Sequence, residues 1–488
     1  MMMHELFEAS MGRKSQFTLI LDIGSLRVND VVRRLPERRV VMHGELNGRE
    51  VFVKAFLGGS AERYAQRDLD GVRLFQQASI LTPHLIHQER STRYMANIHV
   101  FDAVQDAQNS NEFFQHSPAG VRVHLLRQLS ACLAKHHQAG LLQSDMHPKN
   151  FLVQSVSDGI LLYSLDGDGV GQKRYLTLEQ CLHNLATLLC KFDVLEVLAA
   201  LPACLDDYAR ERAMAPFSEQ QQQMFIALMR RLRLQMLKQY ADSKVFRQCG
   251  DVDVVHKPPY HMYLSSAFVL DQSRILKTLQ AAFVKPDYLK QGNTCTIVRY
   301  QLPNLPIVLK RYNIKHLWHA LSRALRRPRA AISWANAHRL MLLGIATPAP
   351  VALIIQRQYG FNQQAYYLAE YIAGHSLRDI HQHLSAPKQL SLAADAMAQL
   401  FYRMHLIGIA HGDCKADNFK YHDGRWWVLD LDSMRQHNSA SVAMQAHIRD
   451  LKRLFANWKA DDTLYNVMFS AFAKRYGDDP VWQLSGLP

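Results

Sequence analysis

The chain has 488 residues, 48% apolar and 20% charged, with a formal net charge of +14. This length calls for two or three domains with sizeable cores, and the composition is that of ordinary soluble globular proteins. Seven cysteines without a CxxC pair argue against a disulfide framework and for free thiols in a reducing compartment.

The N-terminus, Met1-Met2-Met3-His4-Glu5, lacks the basic-then-apolar order of a signal peptide. The most apolar stretch, 182–205, is interrupted by Lys191, Asp193 and Glu196, so no membrane span is expected. The expected location is the cytoplasm.

In chain order, Arg39–His43 and Glu50–Phe56 predict two strands joined by a turn at Asn47-Gly48. A helical pattern runs from Ala61 to Ala78, ahead of Thr82-Pro83, and another from Val121 to Ala139, stopping at Gly140. The loop Ser144-Asp145-Met146-His147-Pro148-Lys149-Asn150 follows, and then Asp166-Gly167-Asp168 behind a short apolar run. A further helix is expected over 218–237. Lys257-Pro258-Pro259-Tyr260 marks a boundary region between about 250 and 285.

The second half repeats the order, which reads as a duplication on the scale of a domain. Strands Thr294–Tyr300 and Ile307–Arg311 precede a helix from Ile332 to Leu343, then Gly344 and Thr347-Pro348. Strand Tyr366–Ile372 and helix Leu392–Leu406 lead to His411-Gly412-Asp413-Cys414-Lys415-Ala416-Asp417-Asn418, and then Asp430-Leu431-Asp432. In both halves an Asp precedes an Asn by five residues, and a later Asp follows a short strand. That is the layout of a phosphoryl-transfer loop followed by a metal-binding carboxylate.

Such chemistry needs an orienting base, oxygen ligands for a hard cation, and cations on the phosphate oxygens. Asp413 is the candidate base, Asn418 and Asp430 the candidate Mg²⁺ ligands, and Lys310 the candidate phosphate contact. Lys415 is placed to neutralise the moving phosphoryl group. The matching set in the first half is Asp145, Asn150, Asp166 and Lys54. A lone His-Gly-Asp is more often a turn than a catalytic loop. The repeated order and spacing decide for chemistry.

The second half resembles the InaA-like bacterial lipopolysaccharide core kinases, which phosphorylate heptose or Kdo sugars. The carrying residues are Val308–Asn313, Asn336–Leu340, Gly344–Pro350, Glu370-Tyr371-Ile372-Ala373-Gly374, His411-Gly412-Asp413 and Asp430-Leu431-Asp432. The first half looks like a more divergent relative. The resemblance implies an α+β fold of tandem protein-kinase-like bilobal domains, each with a small β-rich lobe and a larger helical lobe. The expected bounds are 20–250 and 285–488, with 251–284 as linker. The resemblance also implies ATP and Mg²⁺ as cofactors, the lipopolysaccharide core glycolipid as acceptor, and action at the inner face of the cytoplasmic membrane. Glu370, on the hinge strand, and Gly292, in a phosphate loop reduced to one glycine, join the expected nucleotide-binding set.

Departures from the kinase pattern bear on the two halves unequally. Asp68 on the first helix can pair Lys54. Between Tyr288 and Ala369 there is no Asp or Glu, so Lys310 lacks an acidic partner on its helix: a residue such as Asn336 would have to substitute, or Lys310 is held by phosphate alone. Leu35-Pro36-Glu37-Arg38-Arg39 keeps no glycine, and Ser144 stands where the second half has Gly412. Catalysis is therefore expected chiefly in the second half.

Two other readings stay open: a small-molecule phosphotransferase of the aminoglycoside or choline kinase type, and a pseudokinase scaffold in one or both halves. The basic surface disfavours a cationic aminoglycoside. The acid-free stretch holds eleven Lys and Arg, densest from Lys310 to Arg329, with Leu317, Trp318, Leu321 and Leu325 at helical spacing beside them. It suits an anionic membrane surface better than nucleic acid, for which interleaved aromatics are few. Oligomeric state is not legible from this sequence.

Overall fold

The computed structural model describes residues 4–268, 272–292, 295–303, 305–312, 327–358, 361–384, 386–458 and 462–487. The chain divides into two compact units, Met1–Met229 and Arg230–Pro488.

The first unit opens with helix His4–Ser10 and a six-stranded antiparallel sheet. Across the sheet the strands run Phe17–Leu21, Gly24–Leu35, Arg39–Leu46, Arg49–Phe56, Ala96–Asp102 and Leu85–Ser91. Strict alternation puts Leu19, Leu26, Val28, Met42, Val53 and Ile98 into one core, as a one-faced antiparallel sheet requires. Asn47 and Gly48 both take positive φ, the geometry of a two-residue hairpin turn.

Helix Ala61–Gln77 buries Ala61, Ala65, Asp68, Leu69, Val72 and Phe75, a stripe at three- and four-residue intervals. Helices Ala119–Gln138, Leu178–Leu189 and Val194–Glu211 form the helical part. Between the first two lie the Asp145 loop, the hairpin Phe151–Val156/Gly159–Ser164, and Asp166.

The second unit has a seven-stranded antiparallel sheet in the order Val252–Lys257, Tyr260–Ser265, Pro350–Gln358, Phe361–Glu370, Leu305–Tyr312, Cys295–Leu302, Asp287–Gln291. Helix Arg329–Leu342 follows the Lys310 strand. Helices Pro387–Leu406, Ala440–Phe455 and Thr463–Tyr476 surround the Asp413 loop and the hairpin Phe419–His422/Arg425–Val428.

The expected linker 251–284 is structured instead. Its Pro258-Pro259 pair is the tip of a hairpin whose second strand pairs with Pro350–Gln358, while Ile275, Leu279 and Ala282 enter the sheet's core. Turn residues mark a hairpin tip as well as a domain boundary, and the division falls earlier, at Met229/Arg230 inside helix Glu219–Asp242. The first unit also begins before residue 20, since Phe17 and Leu19 belong to its core.

All seven cysteines are free thiols. Among the described residues no helix is long and apolar enough to cross a membrane.

Candidate active site

In the second unit the Asp413 loop is built on buried anchors. The Nε2–H of His411 donates to the Leu429 carbonyl at 2.8 Å, which leaves Nδ1 to accept from the Asp413 amide at 3.3 Å. The backbone amides of His411 and Gly412 donate to Asp450 at 2.5 and 2.9 Å. Burial raises the Asp450 carboxyl above the usual range, partly offset by those two amides. Asn457 completes the frame, accepting from the Ala416 amide at 3.1 Å and donating to the Cys414 carbonyl at 2.9 Å. Gly412 has φ +81°, and a Cβ there would sit 2.8 Å from the Ser433 carbonyl, so glycine is required on both counts.

This frame places the chemistry-bearing side chains. Asn418 donates to the Asp413 carbonyl at 2.8 Å, and Lys415 reaches the Asp413 carboxylate at 2.9 Å. Lys310 donates to Asp430 and lies 3.5 Å from Asp432. Burial opposes the charge on Lys310, but Tyr312, Asp430 and Asp432 outweigh it and hold the ammonium above its ordinary value. Burial likewise opposes the Asp430 carboxylate, and Lys310 more than compensates, holding it below the usual range. Asp430 takes φ +55°.

Glu370 ends its strand, its amide bonded to the Ala349 carbonyl at 2.9 Å. Gly292 follows strand Asp287–Gln291, its amide donating to the Cys295 carbonyl at 3.1 Å. Asn418, with its amide nitrogen spent on the loop, and Asp430 offer the hard oxygen donors that Mg²⁺ prefers. The donor set fits that ion.

The expected substitution of Asn336 for a helix acid does not occur. Its amide nitrogen donates to the carbonyls of Leu431 and Met434 at 2.8 and 3.0 Å. Asparagine can brace backbone carbonyls as a donor, a role closed to a carboxylate. The helix partner of the Asp430-Leu431-Asp432 segment is Arg329, 2.8 Å from Asp432. Asp432 thus supplies the acid that the helix lacks. Asp450 and Asn457 were not singled out in the sequence, because nothing nearby marks them: their role depends on a helix returning to the loop.

The first unit brings the equivalent residues together. Asn150 donates to the Asp145 carbonyl at 2.8 Å. Gln143 stands where the second unit has His411 and donates to the Leu165 carbonyl at 2.8 Å. Lys191 holds the Met146 carbonyl, as Asn457 holds that of Cys414. Asp166 takes φ +62°, matching Asp430.

Lys54 pairs with Asp68 at 2.6 Å, as its spacing predicts, and His99 adds a contact to Asp68 at 3.2 Å. Burial opposes the Asp68 carboxylate, but Lys54 and His99 hold it far below its usual range. The residue two beyond Asp145 is His147 rather than a lysine, and burial with nearby Lys191 pulls it down to about 4. At neutral pH it carries no charge there.

Residues 287–475 match the family model described as the lipopolysaccharide kinase (Kdo/WaaP) family. Over these residues the second unit is similar to the lipopolysaccharide kinase family. That family uses ATP, so the chain carries an ATP-dependent kinase unit. Among solved structures, one of WaaP in complex with acyl carrier protein is similar at 18% identity and a TM-score of 0.33, covering 48% of this chain and 92% of that one. No curated protein matches the chain. The family match lies wholly within the kinase unit, from strand Asp287–Gln291 to helix Thr463–Tyr476.

Proposed function

We propose that the second unit transfers the γ-phosphoryl of ATP to a hydroxyl of a heptose or Kdo sugar in the lipopolysaccharide inner core. The supporting observation is the Asp413 loop, with Lys415 and Asn418 on the same carboxylate-bearing residue and Lys310 beside Asp430, inside a segment that matches the lipopolysaccharide kinase family. Asp413 orients the sugar hydroxyl and accepts its proton. Lys415 accompanies the Asp413 carboxylate and stabilises charge on the transferred group. Asn418 and Asp430 would hold Mg²⁺, which when bound offsets phosphate charge.

Lys310 moves from Asp430 to the phosphates of the nucleotide. Asp432 and Arg329 keep that segment in place through the exchange. Gly292 and Glu370 contribute at the roof and hinge of the nucleotide cleft. The first unit, with Lys54, Asp68, Asp145, Asn150 and Asp166 in the corresponding places, is a duplicated kinase-like domain. The chain works at the cytoplasmic face of the inner membrane, where its acceptor is made accessible, and docks there through basic side chains.

The test is direct. Purified protein is given ATP, Mg²⁺ and core glycolipid from a strain lacking the gene. Mass spectrometry should show gains in steps of about 80 daltons, one phosphoryl each. Nucleotide consumption with no mass change in the glycolipid would refute this acceptor.

A further inference from the structure

The two units differ most at the carboxylate that follows the hairpin. In the second unit, among the described residues, ion pairs to Asp430 come from Lys310 alone. In the first, Asp166 is met by Arg39 at 3.2 Å, Arg33 at 3.7 Å and Lys54 at 3.8 Å.

Strand register shows how this arises. Arg39 faces Phe56, two residues beyond Lys54, while the same register in the second unit sets Cys295 against Tyr312, two beyond Lys310. A guanidinium therefore descends from the roof strand where the kinase unit has a buried thiol. Arg39 is only 9% exposed, and its Nε is buried with no hydrogen-bond partner. A buried arginine with a spare donor beside a carboxylate is matched to a further anionic oxygen.

The Asp166 turn cannot withdraw from it easily. Helix Ala61–Gln77 packs backbone to backbone on Gly167–Gly169, since a Cβ at Gly71 would overlap the Gly167 carbonyl and one at Gly167 that of Asp68.

Resting on the kinase-like reading of the first unit, we propose that its cleft binds a nucleoside triphosphate without a divalent cation, Arg39 taking the place of the metal at Asp166. The residues do not fit Mg²⁺ there. A cation entering beside Asp166 meets two arginines that already neutralise the carboxylate, and like charges repel at such separations. Lys54 and the guanidinium of Arg39 serve the phosphates instead. With the metal bridge replaced and His147 standing where the second unit has Lys415, the first unit binds nucleotide and does not turn it over.

The experiment uses the full chain with the second site silenced by Lys310→Met and Asp430→Asn, and calorimetric titration with ATP in EDTA and in Mg²⁺. One site is expected, with affinity in EDTA within about threefold of that in Mg²⁺. Arg39→Ala should weaken it by about tenfold or more, the loss of charged hydrogen bonds to phosphate, and Arg39→Lys should restore part of that.

Circular dichroism and a cooperative melt show whether each variant folds. If Arg39→Ala does not, exposed Arg33→Ala gives a smaller loss in the same direction. Binding seen only with Mg²⁺ and abolished by Asp166→Asn would overturn the proposal while leaving the kinase-like reading intact. No ATP binding under either condition would sink both.

Discussion

The two Asp loops of this chain share a backbone and differ in what surrounds it. In each, an asparagine five residues on ties back to the loop Asp carbonyl, and the later Asp sits in the left-handed region. Around Asp413 lie a lysine two residues on, a lysine at the later Asp, and a buried Asp450 beneath. Around Asp145 lie an uncharged histidine and a later carboxylate, Asp166, already held by arginine. The balance of cations at two positions separates the units.

The two units should diverge most at the loop acids. Asp413→Asn should lower kcat for phosphoryl transfer by roughly 10²–10⁴-fold, the usual contribution of a general base, with the fold intact. Asp145→Asn should change kcat by about twofold or less on the same scale. Equal losses in both would make the first unit a second catalyst.

Next in size is the anchor beneath the loop. Asp450→Ala leaves two buried amides without an acceptor, and each such group costs about 1–3 kcal/mol. Denaturant unfolding should show the second unit weakened by about 2–6 kcal/mol. Lys191→Met, which removes the single contact to the Met146 carbonyl, should cost the first unit about 1 kcal/mol.

A pH titration sharpens the contrast in the second unit. Asp430 is depressed and Lys310 raised, so the unfolded chain binds more protons at Asp430 and fewer at Lys310. The pair's contribution is complete above the ordinary carboxylate range and is lost as pH falls through the depressed value of Asp430. It persists on the alkaline side until Lys310 deprotonates above its ordinary value. Asp430→Asn should flatten the acid limb of the stability curve, and an unchanged limb would show that the pair contributes nothing.

The smallest effect concerns docking. Each basic residue near an anionic leaflet contributes about 1 kcal/mol. Arg323, Arg326 and Arg327 reversed to Glu should release the protein from anionic vesicles at low salt. Arg327 is exposed and lies 3.9 Å from Asp242. Lys315, Arg323 and Arg326, with the apolar stripe Leu317, Trp318, Leu321 and Leu325, lie outside the described residues. Unchanged co-sedimentation would remove the membrane from the proposal.

Much of this arrangement was legible from spacing. The order of strand lysine, helix, loop Asp and later Asp was readable in both halves, since each step is a short-range pattern of apolar period and turn residues. The pairing of Lys54 with Asp68 also followed, because both lie on adjacent elements. What could not be read depends on long-range register. Arg39 reaches Asp166 only because two hairpins align, and Asp432 serves Lys310 because Asn336 is used to brace the backbone. The hairpin at Pro258-Pro259 looks like a boundary in sequence because its pairing partner, Pro350–Gln358, lies far along the chain.

The left-handed backbone at Asp166 and Asp430 narrows what evolution and the experimenter can place there. An L-residue with a Cβ in that region pays about 1–2 kcal/mol, with Asp and Asn among the best tolerated and glycine exempt. A lineage losing the metal function at either site can therefore drift cheaply only to Asn or Gly. An alanine at these positions reports backbone strain together with the missing charge, whereas asparagine isolates the charge. The aspartate retained at residue 166, beside an arginine that cancels it, keeps the turn's shape as well as its carboxylate.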